Sequence, residues 1–168
     1  MGISAMITIR RFRDEDAATM TDIYARAVAE LGPKSYGPEQ VAIWASLQPN
    51  PDQFKKLMTD GRYCLVAVDQ NDRAVAFGDV EPDGHIGFLY ASPDVAGTGV
   101  VASLYGELEN AANAQNIGKL YSEASELAKS FLLKQGFSVV ERRDFEINGV
   151  PIHNYAVEKR LRKPGQPA

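Results

Sequence analysis

The segment Leu89-Tyr90-Ala91-Ser92-Pro93-Asp94-Val95-Ala96-Gly97-Thr98-Gly99-Val100-Val101-Ala102 constrains this chain more than any other. It reads as a short apolar strand, a turn opened by Pro93, a Gly-x-Gly loop and the start of a helix. The first turn of a helix leaves backbone N–H groups without intrahelical partners, and the helix dipole adds partial positive charge there. Glycine lets the backbone approach an anion with no Cβ in the way. The ligand expected at such a loop is a phosphate or pyrophosphate. A strand–glycine–helix turn that binds nothing is the alternative this segment alone leaves open.

The rest of the chain supplies a frame for that loop. Ile7 to Phe12 alternates apolar and polar residues, as a half-buried strand does. Asp14 is the expected cap of a helix from Glu15 to Glu30, with Ala17, Met20, Ile23, Tyr24, Ala27 and Leu31 on one face. Gly32-Pro33 ends it. Pro38 opens a second helix to Ala45, and a third runs from Asp52 to Thr59 after Pro49-Asn50-Pro51. Three strands follow at Tyr63 to Asp69, Ala74 to Glu81 and His85 to Ala91, joined by turn-forming residues. The helix after the loop spans Val100 to Ala114, with Val101, Leu104, Leu108 and Ala111 facing the core. A strand (Lys119 to Glu123), a helix (Glu126 to Gln135) and two more strands (Phe137 to Phe145, Ile152 to Lys159) complete the chain. Asn148-Gly149 marks the last hairpin. With no repeat or linker, residues 1–168 read as one α+β domain.

Several functions are disfavoured. The formal net charge is −4, and the one basic cluster is the end Lys159-Arg160-Leu161-Arg162-Lys163, which reads as a solvated terminus. Nucleic-acid affinity rests on neutralised phosphates, so no nucleic-acid partner is expected. The single cysteine, Cys64, lies in an apolar run and reads as a buried small hydrophobe. Met1 to Met6 is too short for a signal peptide, and no apolar run is long enough to cross a bilayer. A cytoplasmic protein without membrane partners is the expectation. His85 and His153 lack a spaced set of further metal ligands, so no metal is expected.

Two motifs make the chain resemble the GNAT superfamily of N-acetyltransferases. That family's loop pattern, Q/R-x-x-G-x-G/A after a strand ending L-x-V-x-P, corresponds here to Ala96-x-x-Gly99-x-Val101 after Leu89-x-Ala91-x-Pro93. Its second signature, N-x-x-A-x-x-(F/L)-Y-x-K-x-G-F, corresponds to Ser125-x-x-Ala128-x-x-Phe131-Leu132-x-Lys134-x-Gly136-Phe137. The second is the more specific. A third run, Tyr36-x-Pro38-x-Gln40-x-x-x-Trp44-Ala45, is similar to a bacterial subgroup of unassigned substrate.

The resemblance implies a mixed, mostly antiparallel sheet of six to seven strands flanked by helices. That sheet is splayed between its fourth and fifth strands, with acetyl-CoA in the cleft. Leu89, Tyr90 and Ala91 would run beside the pantetheine arm. The main chain of Ala96, Gly97, Thr98, Gly99, Val100, Val101 and Ala102 would hold the pyrophosphate. Ala96 and Val101 depart from the pattern, one losing a helpful side chain and the other adding a β-branched one. Ser125, Ala128, Phe131, Leu132 and Lys134 would lie along the cofactor, though Ser125 equally suits a helix N-cap. Leu132 stands where relatives carry a tyrosine acid, so that acid is missing. His85 stands where some relatives carry a glutamate base, and a neutral imidazole suits that task near neutral pH. Glu81 is the competing base. Tyr36, Gln40, Trp44 and Tyr155 are the expected acceptor-side residues, with ordinary core packing as the alternative for Trp44.

The implied activity is direct acetyl transfer to the amine of a small molecule. Two alternatives remain at this point: a weak or inactive acyl-CoA-binding module, and a peptide or protein N-acetyltransferase. A homodimer is one open oligomeric state.

Overall fold

A computed structural model describes residues 7–161. The expectations for the first six residues and for Arg162 and Lys163 lie outside them. The strands are β1 (Thr8–Arg11), β2 (Tyr63–Val68), β3 (Ala74–Val80), β4 (Leu89–Ala91), β5 (Lys119–Ala124), β6 (Ser138–Ile147) and β7 (Val150–Arg160). The helices are α1 (Ala17–Leu31), α2 (Pro38–Ser46), α3 (Pro51–Met58), α4 (Val100–Ala114) and α5 (Glu126–Lys134). One antiparallel sheet has the order β1-β2-β3-β4, and a second has β5-β7-β6.

Both faces of β2 and β3 are covered. Met20, Ile23, Phe54 and Met58 from α1 and α3 pack against Val66 and Phe77 on one side. Leu104, Tyr105 and Leu108 from α4 pack against Leu65, Ala67 and Ala76 on the other. That double coverage explains the near-continuous apolar run of β2, since successive side chains alternate between faces.

Local chemistry sets the helix starts. Asn50 accepts from the Gln53 N–H at 2.8 Å while the Gln53 side chain accepts from the Asn50 N–H at 2.8 Å, and Pro51 sits at the first helical position. Ser125 caps α5 by accepting from the Ala128 N–H at 3.2 Å.

Three expectations need correcting. Asp14 does not cap α1. Residues Asp14–Asp16 form a 3₁₀ turn, and the helix starts at Ala17 because buried Asp16 is taken by Arg10 at 2.8 and 2.9 Å. The core face of α4 is turned relative to expectation: Val100, Leu104, Tyr105, Leu108 and Ala112 are buried, and Val101 and Ala111 are half-buried. The strand predicted from His85 to Ala91 survives only as Leu89–Ala91. Upstream of it the chain changes partner. The Ile86 N–H donates to the Tyr121 carbonyl at 2.8 Å and the Tyr121 N–H to Gly84 at 3.1 Å, a parallel bridge to β5. Between the two pairings, the Gly87 and Phe88 N–H groups turn to the buried Asp79 carboxylate at 3.3 and 2.9 Å. The two sheets part at this point, opening a V between β4 and β5.

Candidate active site

The V holds a cleft of about 480 Å³. Its floor is the free edge of β4. The Ser92 N–H donates to Val75 and the Phe88 carbonyl accepts from Asp79, so those residues face β3. Backbone groups alternate sides along a strand, which turns those of Leu89 and Ala91 toward the cleft. A ligand carrying amides could pair with them as another strand would.

Beyond Ala91 the chain enters the glycine loop. Gly97 and Gly99 have φ of +76° and +88°, which L side chains rarely adopt, and a Cβ on either would meet open space. Backbone conformation therefore requires glycine here, whereas packing does not. The first α4 bond is from the Ser103 N–H to the Gly99 carbonyl, so the N–H groups of Val100, Val101 and Ala102 precede the helical ladder. Ala96, Gly97, Gly99, Val101 and Ala102 line the cleft, while the Thr98 hydroxyl is spent on the Val95 carbonyl and Val100 is buried. Ser125, Ala128, Phe131 and Leu132 form the opposing wall. Leu132 is also core, and Lys134 is exposed at the end of α5, off the cleft.

The expected acceptor residues divide. Tyr36 and Trp44 line the cleft. The Trp44 Nε1–H donates to the Tyr90 hydroxyl at 3.1 Å, and burial pushes Tyr90 up to about 12, so it stays neutral. The Tyr36 hydroxyl donates to the His153 carbonyl at 3.2 Å and accepts from the Glu126 N–H at 3.0 Å. Gln40 lies off the cleft: its amide donates to the Pro151 carbonyl and accepts from the Gly37 N–H. Tyr155 also lies outside, donating to Glu126 at 3.1 Å. The His153 Nε2 meets the same carboxylate at 3.0 Å, and these bonds, His153 foremost, hold Glu126 below its ordinary value.

His85 and Glu81 stand one layer behind the wall. The imidazole is held between two carboxylates, Glu81 on Nδ1 and Glu123 on Nε2 at 2.8 Å. Burial alone would lower the pKa of His85; the two carboxylates outweigh it and raise it above the ordinary histidine value. Glu123 is the member of this chain that lines the cleft. Behind Glu81 stands Arg62, 3.5 Å away, which also pairs with Asp79 at 3.2 Å and Asp60 at 2.9 Å.

Sequence reasoning missed Ser122 and Glu123, Gly87, Asn154, and Phe145, Ile147 and Ile152 from the last hairpin, all on the cleft. The signal for Glu123 was a carboxylate in a short strand two residues ahead of a helix cap. Among the described residues, no group of three or more His, Cys, Asp or Glu could hold a metal ion.

Known proteins share this arrangement. The family described as "Acetyltransferase (GNAT) domain" matches residues 33–159. A GCN5-related N-acetyltransferase from Rhodopseudomonas palustris superposes with a TM-score of 0.83 at 31% identity, over 93% of this chain and 96% of that one. PaiA N-acetyltransferase from Thermoplasma acidophilum, solved with coenzyme A, shares the fold at 17% identity and a TM-score of 0.74, over 92% and 99%. YafP of Escherichia coli strain K12, described as an uncharacterized N-acetyltransferase, is 24% identical over 89% of this chain and 93% of its own. The splayed sheet, the glycine loop that opens α4 and these matches together make this chain a member of the GNAT acetyltransferase family.

Proposed function

We propose that the protein transfers the acetyl group of acetyl-CoA directly to the amine of a small molecule. The observation that carries this is continuity: the free β4 edge at Leu89 and Ala91 runs straight into the N–H groups at the start of α4. A pantetheine arm has amides to match the edge, and a pyrophosphate matches the helix start. The coenzyme A bound to the Thermoplasma relative supports this reading. The aromatic wall of Tyr36 and Trp44 favours a small acceptor over a peptide.

In the reaction the amine nitrogen attacks the thioester carbon, the C–N bond forms, and the C–S bond breaks. The amine must shed a proton, and CoA leaves as a thiolate that takes one up. Glu123 is the carboxylate facing the amine. His85 holds it in place and carries the compensating positive charge, and Glu81 anchors His85 in turn. A thiolate is a tolerable leaving group near neutral pH, because an ordinary thiol has a pKa of about 8.5. A dedicated acid at Leu132 is therefore dispensable. The buried single thiol, Cys64, suits a reducing cytoplasm.

The test is thiol release from acetyl-CoA with a panel of amines, with N-acetyl products detected by mass. Glu123→Gln should lower kcat by about 100- to 10,000-fold while CoA affinity holds. A variant within a few-fold of the parent removes Glu123 from the proton path. CoA binding without release for any amine replaces the enzyme with a binding module.

A further inference from the structure

The acceptor half of the cleft carries a second message, in the chemistry it lacks. Its wall is built from Tyr36, Trp44, Leu47, Phe145, Ile147 and Ile152. The lip is apolar as well: Leu47 and Leu127 are 55% and 51% exposed, yet both line the opening. Large exposed apolar side chains scattered singly mean little, but a pair flanking one cleft marks a surface that receives apolar material.

Among the described residues lining the cleft there is no lysine or arginine, and the only carboxylate is Glu123. Arg143 is exposed on β6, its guanidinium 5.8 Å from the centroid of the Phe145 ring and outside the lining. The other nearby cations are engaged elsewhere. The Lys129 ammonium sits 3.4 Å from Glu126 and 4.0 Å above the Tyr155 ring. Arg142 pairs with Asp144 at 3.1 Å and Arg26 with Asp94 at 2.9 Å. Arg62 is shut behind Gly87 by Asp79 and Asp60. Lys34 is exposed in the turn before Ser35, outside the lining.

We infer that the acceptor is a monoamine on an apolar body of about aromatic-ring size, bearing no carboxylate, phosphoryl group or second ammonium. The inference rests on the acetyl-transfer reading above and narrows its substrate. An acceptor carboxylate would leave water for a largely apolar wall with no lysine or arginine in its lining, close to the like charge of Glu123. A second ammonium would be stranded too, because one carboxylate serves the reacting amine and the remaining polar liners, Ser35, Ser122, Ser125, His153 and Asn154, are not carboxylates. The body itself gains from burial against Trp44 and Phe145.

The experiment uses four amines on the whole protein with saturating acetyl-CoA: 2-phenylethylamine, phenylalanine, phenylalanine methyl ester and spermidine. The ester keeps the α-substituent of phenylalanine and removes its charge. The expected kcat/KM for phenylalanine is at least about 100-fold below that of its ester, with 2-phenylethylamine best and spermidine poor. Leu47→Arg, at an exposed position on the lip, should narrow the gap between acid and ester, whereas Lys34→Ala should leave it unchanged. Phenylalanine within threefold of its ester, or spermidine as the best acceptor, overturns the inference while leaving acetyl transfer standing. Calorimetric binding to the CoA-loaded protein reads the same order without turnover. A protein that binds 2-phenylethylamine over phenylalanine yet releases no thiol keeps this acceptor class and loses the enzymatic reading. A protein that binds neither loses both.

Discussion

Gly87→Ala should damage the protein although Gly87 is an exposed residue of the cleft wall, and the structure gives the scale. A Cβ built on Gly87 lies 2.9 Å from Arg62 Nη1 and 3.0 and 3.3 Å from the two Asp79 oxygens. None of these atoms is a loose chain end. Arg62 is fixed by Asp60 at 2.9 Å as well as by Asp79, and Asp79 is wholly buried and bound by the Phe88 N–H. The methyl group needs several tenths of an ångström more, so the ion pair or the backbone at Gly87 must shift. Overpacking of this kind costs about 1–3 kcal/mol, and outright loss of a buried pair about 3–5 kcal/mol. We expect about 2 kcal/mol, which for a protein of this size lowers Tm by about 4–8 °C. Gly106→Ala is the control: Gly106 lies inside α4, and its Cβ would meet nothing within 4 Å. That change should stabilise by about 0.5–1 kcal/mol, because glycine is a poor helix former. Thermal denaturation followed by circular dichroism, with and without CoA, measures both. A Gly87→Ala protein that melts with the parent, or shifts in the same direction as Gly106→Ala, refutes the view that the Arg62–Asp79 pair props open the sheet.

Three other outcomes are expected. Gly99→Pro, which fixes φ near −65° where +88° is needed and deletes an N–H, should abolish CoA binding by calorimetry; unchanged affinity would reject the loop as the anion site. Trp44→Leu should raise the acceptor KM much more than the acetyl-CoA KM, and equal rises would mark Trp44 as a packing residue. His85 has a raised pKa, so its contribution to stability is complete below about pH 6.5, the ordinary histidine value, and fades as pH rises through the higher folded value. Chemical denaturation across pH 5 to 9 should show that decline in the parent, and His85→Gln should flatten it; parallel curves would remove the carboxylate clamp as a source of stability.

The sequence reports most of what is local. Ser125 ahead of α5 and the two-residue Asn148-Gly149 turn each act within a few positions, and both are found. The glycine loop is legible for the same reason. The splay is legible only through the family resemblance, because its cause lies in Asp79 reaching Gly87 and Phe88 while Arg62, 17 positions upstream, balances the buried charge. Burial of that carboxylate pushes Asp79 up to about 6, a cost no motif signals. Glu123 and the Phe145–Ile152 wall also escape notice, since their role appears only once the β6–β7 hairpin folds across the cleft. Gln40 is expected on the acceptor side from the resemblance, yet its amide faces the hairpin backbone at Pro151.

The Tyr36 hydroxyl has a mechanical consequence. The two sheets share a backbone bridge near the vertex of the V, at His85 and Tyr121, whereas Tyr36 spans its open end to His153 and Glu126. A tie at the end of a lever resists opening with more torque than an equal tie beside the pivot. The phenolic oxygen, together with the Gln40 amide on the Pro151 carbonyl, thus ties the open end of the V across to β7 and the start of α5.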